Sequence, residues 1–282
     1  MRILIASDLT AGSTDALRRA AAIARQEGAQ LRVIHAVPAI AGEEAALPAR
    51  DRLHAALAEV TGREVGGESG LSVGICHARP ADAILSQEEH YDPDLIVLGA
   101  HGEPRLRDAI LETTAAHVVR KAAQPVLVVQ TDPNRAYRKM LIAVDDETAE
   151  RVLDLALAFA APEEVYVVHA YGSVLQSLTG DTDVVLEDVR TDQNALLARL
   201  RQKLLGSGRH PARMESIVEE GEPMDVIMRA WTRIRPDLVV MGTHGRTGIA
   251  HLLHGSLAES ALLGCPTDML VMRTTGEEGR GS

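Results

Sequence analysis

The sequence predicts an α/β protein built as two tandem copies of one domain, each an open, doubly wound, five-stranded parallel sheet. Two observations carry this prediction. Short Val/Ile/Leu runs alternate with longer Ala/Leu/Arg/Glu stretches of helical period, the mark of βαβ units whose sheet is covered on both faces. The pattern is also written twice in the same order. Ile3-Leu-Ile-Ala-Ser-Asp8 returns as Met140-Leu-Ile-Ala-Val-Asp145, and Val33-Ile-His35-Ala36 as Val167-Val-His169-Ala170. Pro80-Ala-Asp-Ala-Ile-Leu85 returns as Pro223-Met-Asp-Val-Ile-Met228, and the block from Pro93 to Gly102 as the block from Pro236 to Gly245. Asp8 to Asp145 is 137 positions and Gly102 to Gly245 is 143, so the copies differ by small loop indels.

In the first copy the apolar runs give strands near 2–7, 31–37, 71–76, 94–99 and 126–130, and the Ala/Leu-rich stretches between them give helices near 13–27, 43–63, 80–90 and 112–123. In the second copy the same reading gives strands near 139–144, 165–171, 213–218, 237–242 and 268–273, with helices near 147–160, 185–206, 223–234 and 256–263. The seam is Thr131-Asp-Pro-Asn-Arg-Ala136, short, polar and proline-bearing as a linker should be. Domains are expected over 1–131 and 137–274, and the 282-residue length suits two ordinary cores. The tail from Gly276 has nothing to bury.

A net charge of -11 leaves little room for the basic face that DNA, RNA or anionic lipid would need. Aromatic residues make up 2%, too few for base-stacking platforms. No run approaches the ~20 apolar residues of a membrane span, and the first residues enter a strand without a leader-like apolar region. Cys76 and Cys265 lie far apart and neither belongs to a CxxC, so there is no disulfide framework or zinc cluster to read. A soluble, cytoplasmic protein is expected.

Ligands of open α/β sheets bind at the carboxyl ends of strands where the strand order reverses, which directs attention to the loops after the first and fourth strands of each copy. In the second copy the fourth strand runs into a G-x2-G-x9-G-S spacing formed by Gly242, Gly245, Gly255 and Ser256. Glycines admit close backbone approach, and Gly255-Ser256 opens a helical stretch whose free N–H groups favour phosphate. Arg246, just after the second glycine, carries a guanidinium able to reach a phosphate. A second reading stands beside this one: the glycines shape a turn and Ser256 caps the helix. No Lys precedes the Ser, so this is not a Walker A loop.

The doubled five-stranded unit, the Asp closing the first strand and this glycine spacing resemble the universal stress protein family in its tandem two-domain form. The resemblance implies an adenine nucleotide α-hydrolase-like sheet of order 3-2-1-4-5, and a subset of that family binds ATP between the first and fourth strands. Carried over, it places Asp145 at the ribose or as ligand of a metal such as Mg²⁺, Ala170 beside adenine through its backbone, and Gly242, Gly245, Gly255 and Ser256 around the phosphates. It also implies pairing of the two fifth strands as an internal pseudo-dimer, with further homodimer formation and protein partners left open.

The first copy departs where it matters: Gly99 and Gly102 match, but Glu112-Thr113 stands where the second copy has Gly255-Ser256. Like charges ~4 Å apart repel by roughly 1 kcal/mol in water and about 4 at an effective dielectric of 20, so Glu112 opposes phosphate and the first site is expected to be degenerate. Asp8 then reads as a turn or cap residue. His244, His251 and His254 share a loop but lack an acidic or thiol ligand at matching spacing. His35 and His169 read as structural, Trp231 as core or interface, and Arg199-Leu-Arg201-Gln-Lys203 as a solvated face. The leading functional expectation is a regulatory, stress-response module that binds ATP in its second domain. The alternatives are a slow ATPase or phosphotransferase at the same cleft, for which no base is visible, and a ligand-free interaction scaffold.

Overall fold

The computed structural model describes residues 1–40, 42–66, 69–100, 113–143, 146–171, 182–208, 210–242 and 265–272. Along the chain run β1 (Arg2–Ala6), α1 (Ala11–Glu27), β2 (Gln30–Val37), α2 (Glu43–Thr61), β3 (Leu71–His77), α3 (Pro80–Tyr91), β4 (Leu95–Gly99), α4 (Thr114–Lys121) and β5 (Val126–Val129). There follow β6 (Lys139–Ala143), α5 (Asp146–Phe159), β7 (Glu164–Tyr171), α6 (Thr182–Gly206), β8 (Arg213–Glu220), α7 (Pro223–Ile234), β9 (Leu238–Gly242) and β10 (Asp268–Met272). These form two compact units, one of Met1–Arg135 with Asp268–Arg273, the other of Ala136–Thr267 with Thr274–Ser282.

The first unit has the strand order β3-β2-β1-β4-β5-β10. Its first five strands are parallel, in the 3-2-1-4-5 order that the family resemblance implies. β10 runs antiparallel to β5, with Met269 opposite Val128 and Val271 opposite Val126. Consecutive residues Ile3, Leu4 and Ile5 are fully buried, as are Leu95, Ile96 and Val97, so both faces of the sheet are covered. The covering helices pair as α1 with α2 and α3 with α4. Thr10 caps α1 by accepting from the Ser13 N–H at 3.4 Å, and Gly28 ends it in the left-handed region at φ 59°. α1 therefore begins two residues before the periodicity places it. α4 begins two residues late, because Thr113 is its cap and accepts from the Ala116 N–H at 3.1 Å.

In the second unit β6 lies between β7 and β9, and β8 lies outside β7, all parallel. Leu141, Ile142, Val167, Leu238, Val239 and Val240 form its fully buried centre. α7 presents Val226, Ile227, Ala230, Trp231 and Ile234 to this core. It ends at Arg235 with φ 53°, as α3 ends at Asp92 with φ 47°, each residue just before a proline. Arg199 and Arg201 are exposed on α6, as their sequence implies, and Lys203 Nζ reaches Asp154 on α5 at 2.7 Å. No described helix is long and apolar enough to cross a membrane.

Candidate functional site

The strand order of the second unit turns about β6: β7 and β8 lie on one side and β9 on the other. Such a switch point leaves a crevice at the carboxyl ends of the strands. Two sequence-predicted residues stand at this rim. Gly242, buried, closes β9 just after Met241, the partner of Ala143. Ala170, half-buried on β7, stands three residues beyond Val167, the partner of Ile142. β6 thus ends between them, and α5 starts at Asp146 just past the same rim. Asp145, Gly245, Arg246, Gly255 and Ser256 lie outside the described residues, as do His244, His251, His254, Gly102 and Glu112. The structure brings Ala170 and Gly242, the first residue of the glycine run, to the strand ends on either side of β6.

The corresponding rim of the first unit shows what its residues do. Asp8 Oδ1 accepts from the Thr10 backbone N–H at 3.0 Å and the Thr10 hydroxyl at 2.6 Å, closing a turn into α1. Partial burial works to raise its pKa, but the hydrogen bonds from Thr10 outweigh that and hold it below the usual aspartate value. Around this turn Ser7 Oγ lies 3.0 Å from Ser13 Oγ, and the His35 ring donates through Nδ1 to the Ser7 carbonyl at 2.7 Å. Asp8 is thus a turn residue and His35 a brace, the structural reading of both. Gly99 packs directly against the first turn of α1, and Thr113 spends its hydroxyl on capping α4. Three positions of the repeated motif therefore have structural roles in this copy without a ligand.

Other marked residues resolve into the core. Trp231 is buried and donates through Nε1 to Thr267 Oγ1 at 2.9 Å, with the Arg235 guanidinium 4.7 Å from its ring centre. Cys265 is buried with its Sγ 3.2 Å from Met228 Sδ, and burial pushes its thiol up to about 11. Cys76 on β3 is half-buried, and burial raises its pKa against the opposing pull of Arg32. No group of three or more His, Cys, Asp or Glu among the described residues is placed to hold a metal ion.

A cavity of about 750 Å³ opens along β8, the outermost strand of the second sheet, lined by Lys139, Glu164, Tyr166, Arg213, Glu215 and Arg233 among others. It runs from Lys139 and Glu164, the first residues of β6 and β7, along β8 as far as Glu219, the register partner of Ala170. Its charges are matched internally. Lys139 pairs with Glu164 at 3.6 Å, Arg213 with Glu215 at 2.6 Å and Arg233 with Glu219 at 3.5 Å, while the Tyr166 hydroxyl donates to Glu164 at 2.5 Å. The hydrogen bond from Tyr166 lowers the Glu164 pKa. With cation and anion already joined, the hollow offers no net charge to a ligand.

Sequence reasoning missed Arg19 and Asp268, which meet inside the first unit at 3.5 Å with 7% and 0% of their side chains exposed. Arg19 sits between Ala16, Ala20 and Ile23 on the buried stripe of α1, and that spacing was the available signal.

The profile of the universal stress protein family matches residues 1–130 and again residues 136–273. Universal stress protein E of Escherichia coli (strain K12) is 29% identical over 215 residues, covering 71% of this chain and 66% of that protein. The Universal stress protein E homolog of Haemophilus influenzae is 28% identical over 204 residues, covering 67% of this chain and 64% of that one. The match thus spans just under two thirds of the length of these curated relatives. Among solved structures, a universal stress protein from Archaeoglobus fulgidus DSM 4304 superposes with a TM-score of 0.64 at 16% identity, covering 98% of this chain and 97% of that one, a likeness of fold. With the doubled parallel sheet, the repeated sequence blocks and both halves matched by one profile, the chain belongs to the universal stress protein family and carries its domain twice.

Proposed function

We propose that the chain is a regulatory module of the stress-response type that binds ATP in its second domain. The domains are taken as 1–131 and 137–274. The observation that carries this reading is the placement of Gly242 beside the end of β6, at the strand-order switch, with the G-x2-G-x9-G-S run starting there. Asp145 follows β6 by two residues and is assigned to the ribose or to a bound Mg²⁺. Ala170 would offer its backbone to adenine, and Gly245, Arg246, Gly255 and Ser256 would surround the phosphates. Membership in the family supports a nucleotide-linked role. The internal roles of Asp8, Gly99 and Thr113 support a degenerate first site. Antiparallel pairing of β5 with β10 supports an internal pseudo-dimer. The acidic balance fits a cytoplasmic protein without nucleic-acid partners.

Calorimetric titration with ATP and Mg²⁺ tests the proposal. One site per chain is expected, abolished by Gly255→Glu, and mass spectrometry of small molecules released from the purified protein should find an adenine nucleotide. Two equal sites would overturn the degenerate first site, and no binding at millimolar ATP would leave the scaffold reading. The ATPase reading requires Mg²⁺-dependent turnover in the ~1–1000 s⁻¹ range that is lost in Asp145→Ala. Very slow turnover is expected instead, because no general base is visible in the loop sequences.

A further inference from the structure

We propose that Arg19 and Asp268 are a partner-selecting pair that makes a β10 strand, rather than a second β5, the accepted neighbour of β5. The apolar strands alone discriminate poorly. β5 reads Val126-Leu-Val-Val129 and β10 reads Met269-Leu-Val-Met272 after its leading Asp, so either could pair with itself in a second molecule.

What breaks the symmetry is charge. Asp268 Oδ1 accepts from the Gln130 N–H at 2.8 Å, the Thr131 N–H at 2.8 Å and the Thr131 hydroxyl at 2.9 Å, all just past the end of β5. Its Oδ2 faces Arg19 Nε at 3.5 Å. Arg19 in turn donates to the Asp132 carbonyl at 3.0 Å and the Arg135 carbonyl at 2.9 Å, so one guanidinium holds both the incoming strand and the chain leaving β5. The residue before Val126 is Pro125, which has no carboxylate to offer Arg19. The repeated blocks on either side place the counterpart of Arg19 within Leu153-Asp-Leu-Ala156, where no residue is basic. Pairing β5 with β5, or β10 with β10, would separate Arg19 from Asp268. Removing one partner of a buried ion pair is strongly destabilising, which turns the pair into a filter against both wrong pairings.

The test uses full-length Arg19→Met, Asp268→Asn and the double variant, followed by amide hydrogen exchange and sedimentation equilibrium. Each single variant should exchange at residues 126–131 and 268–272 at least 10-fold faster than the parent, with β7 and β8 unchanged as the internal control of folding. The double variant should exchange no faster than the worse single one, the signature of a coupled pair. Both single variants should self-associate more than the parent at matched concentration. Thr131→Val, which removes one donor and leaves both charges, should give the same changes at about 3-fold and serves if a charge variant fails to fold. Unchanged exchange, strictly additive effects or association equal to that of the parent would each overturn the proposal.

Discussion

Gly99 ends β4 so close to the first turn of α1 that a Cβ built on it would stand 3.0 Å from the Gly12 carbonyl oxygen and 3.2 Å from the Gly12 carbonyl carbon. Both neighbours are backbone, at the point where Thr10 and Asp8 fix the start of the helix. The strand end and the helix can keep this distance only without a side chain. Gly99→Ala should therefore lower stability by about 1–3 kcal/mol in denaturant unfolding. Gly206→Ala, at the end of α6, meets nothing within 4 Å and serves as the control, with no loss of stability expected. Equal effects would show that the contact with α1 is not the reason for glycine at 99.

Thr113 caps α4 through the Ala116 N–H. Thr113→Ala should cost about 1 kcal/mol of thermal stability and leave ATP affinity untouched. Ser256→Ala, at the matching place in the second copy, should weaken ATP binding beyond its effect on stability. If the two substitutions behave alike, Ser256 is a cap and nothing more.

Glu88 is buried on α3, and that burial raises its carboxyl pKa against hydrogen bonds from the Gln124 and Ala123 backbone; the contact from Gln124 N is 2.7 Å. A folded pKa above the unfolded one means that its contribution is full below the unfolded value of about 4.5 and is lost as pH rises through the folded one. Glu88→Gln keeps an acceptor for Gln124 without the buried charge. The variant should melt above the parent at pH 7, with the gap closing as pH falls towards 4.5. A gap that widens on acidification would reverse the assigned sign.

The Cys265 thiol, pushed up to about 11 and buried beside Met228, should resist alkylation at pH 8. Mass spectrometry after brief iodoacetamide treatment should find it unmodified in the native protein and modified in denaturant. Rapid native labelling would place it outside the core.

The fold was legible because its marks are periodic and doubled: Ile3-Leu-Ile and Leu141-Ile-Ala announce strands whatever surrounds them. Boundaries depended on single side chains. Thr113 delays α4, and β8 runs on to Glu220 because its charged residues sit on the outermost strand of the second sheet, where hydropathy is a weak guide. At the site, Ala170 and Gly242 could be read as strand-end positions because strand ends follow from the pattern. The meeting of Arg19 with Asp268 could not, since it joins residues 249 positions apart and the stripe on α1 that marks Arg19 as buried does not name its acid.

Because β10 belongs to the first unit, that unit cannot complete its sheet until residues 268–272 have been made. Once Val129 has been made, 139 positions still separate it from Asp268, the first residue of the closing strand. At ~5–20 residues per second, that interval lasts roughly 7 to 28 s. Throughout it the nascent first unit carries an uncharged, four-residue apolar edge that still lacks its outer strand, and Arg19 awaits its acid. The amino-terminal half of this chain thus reaches its native state only after the carboxyl-terminal half has been translated.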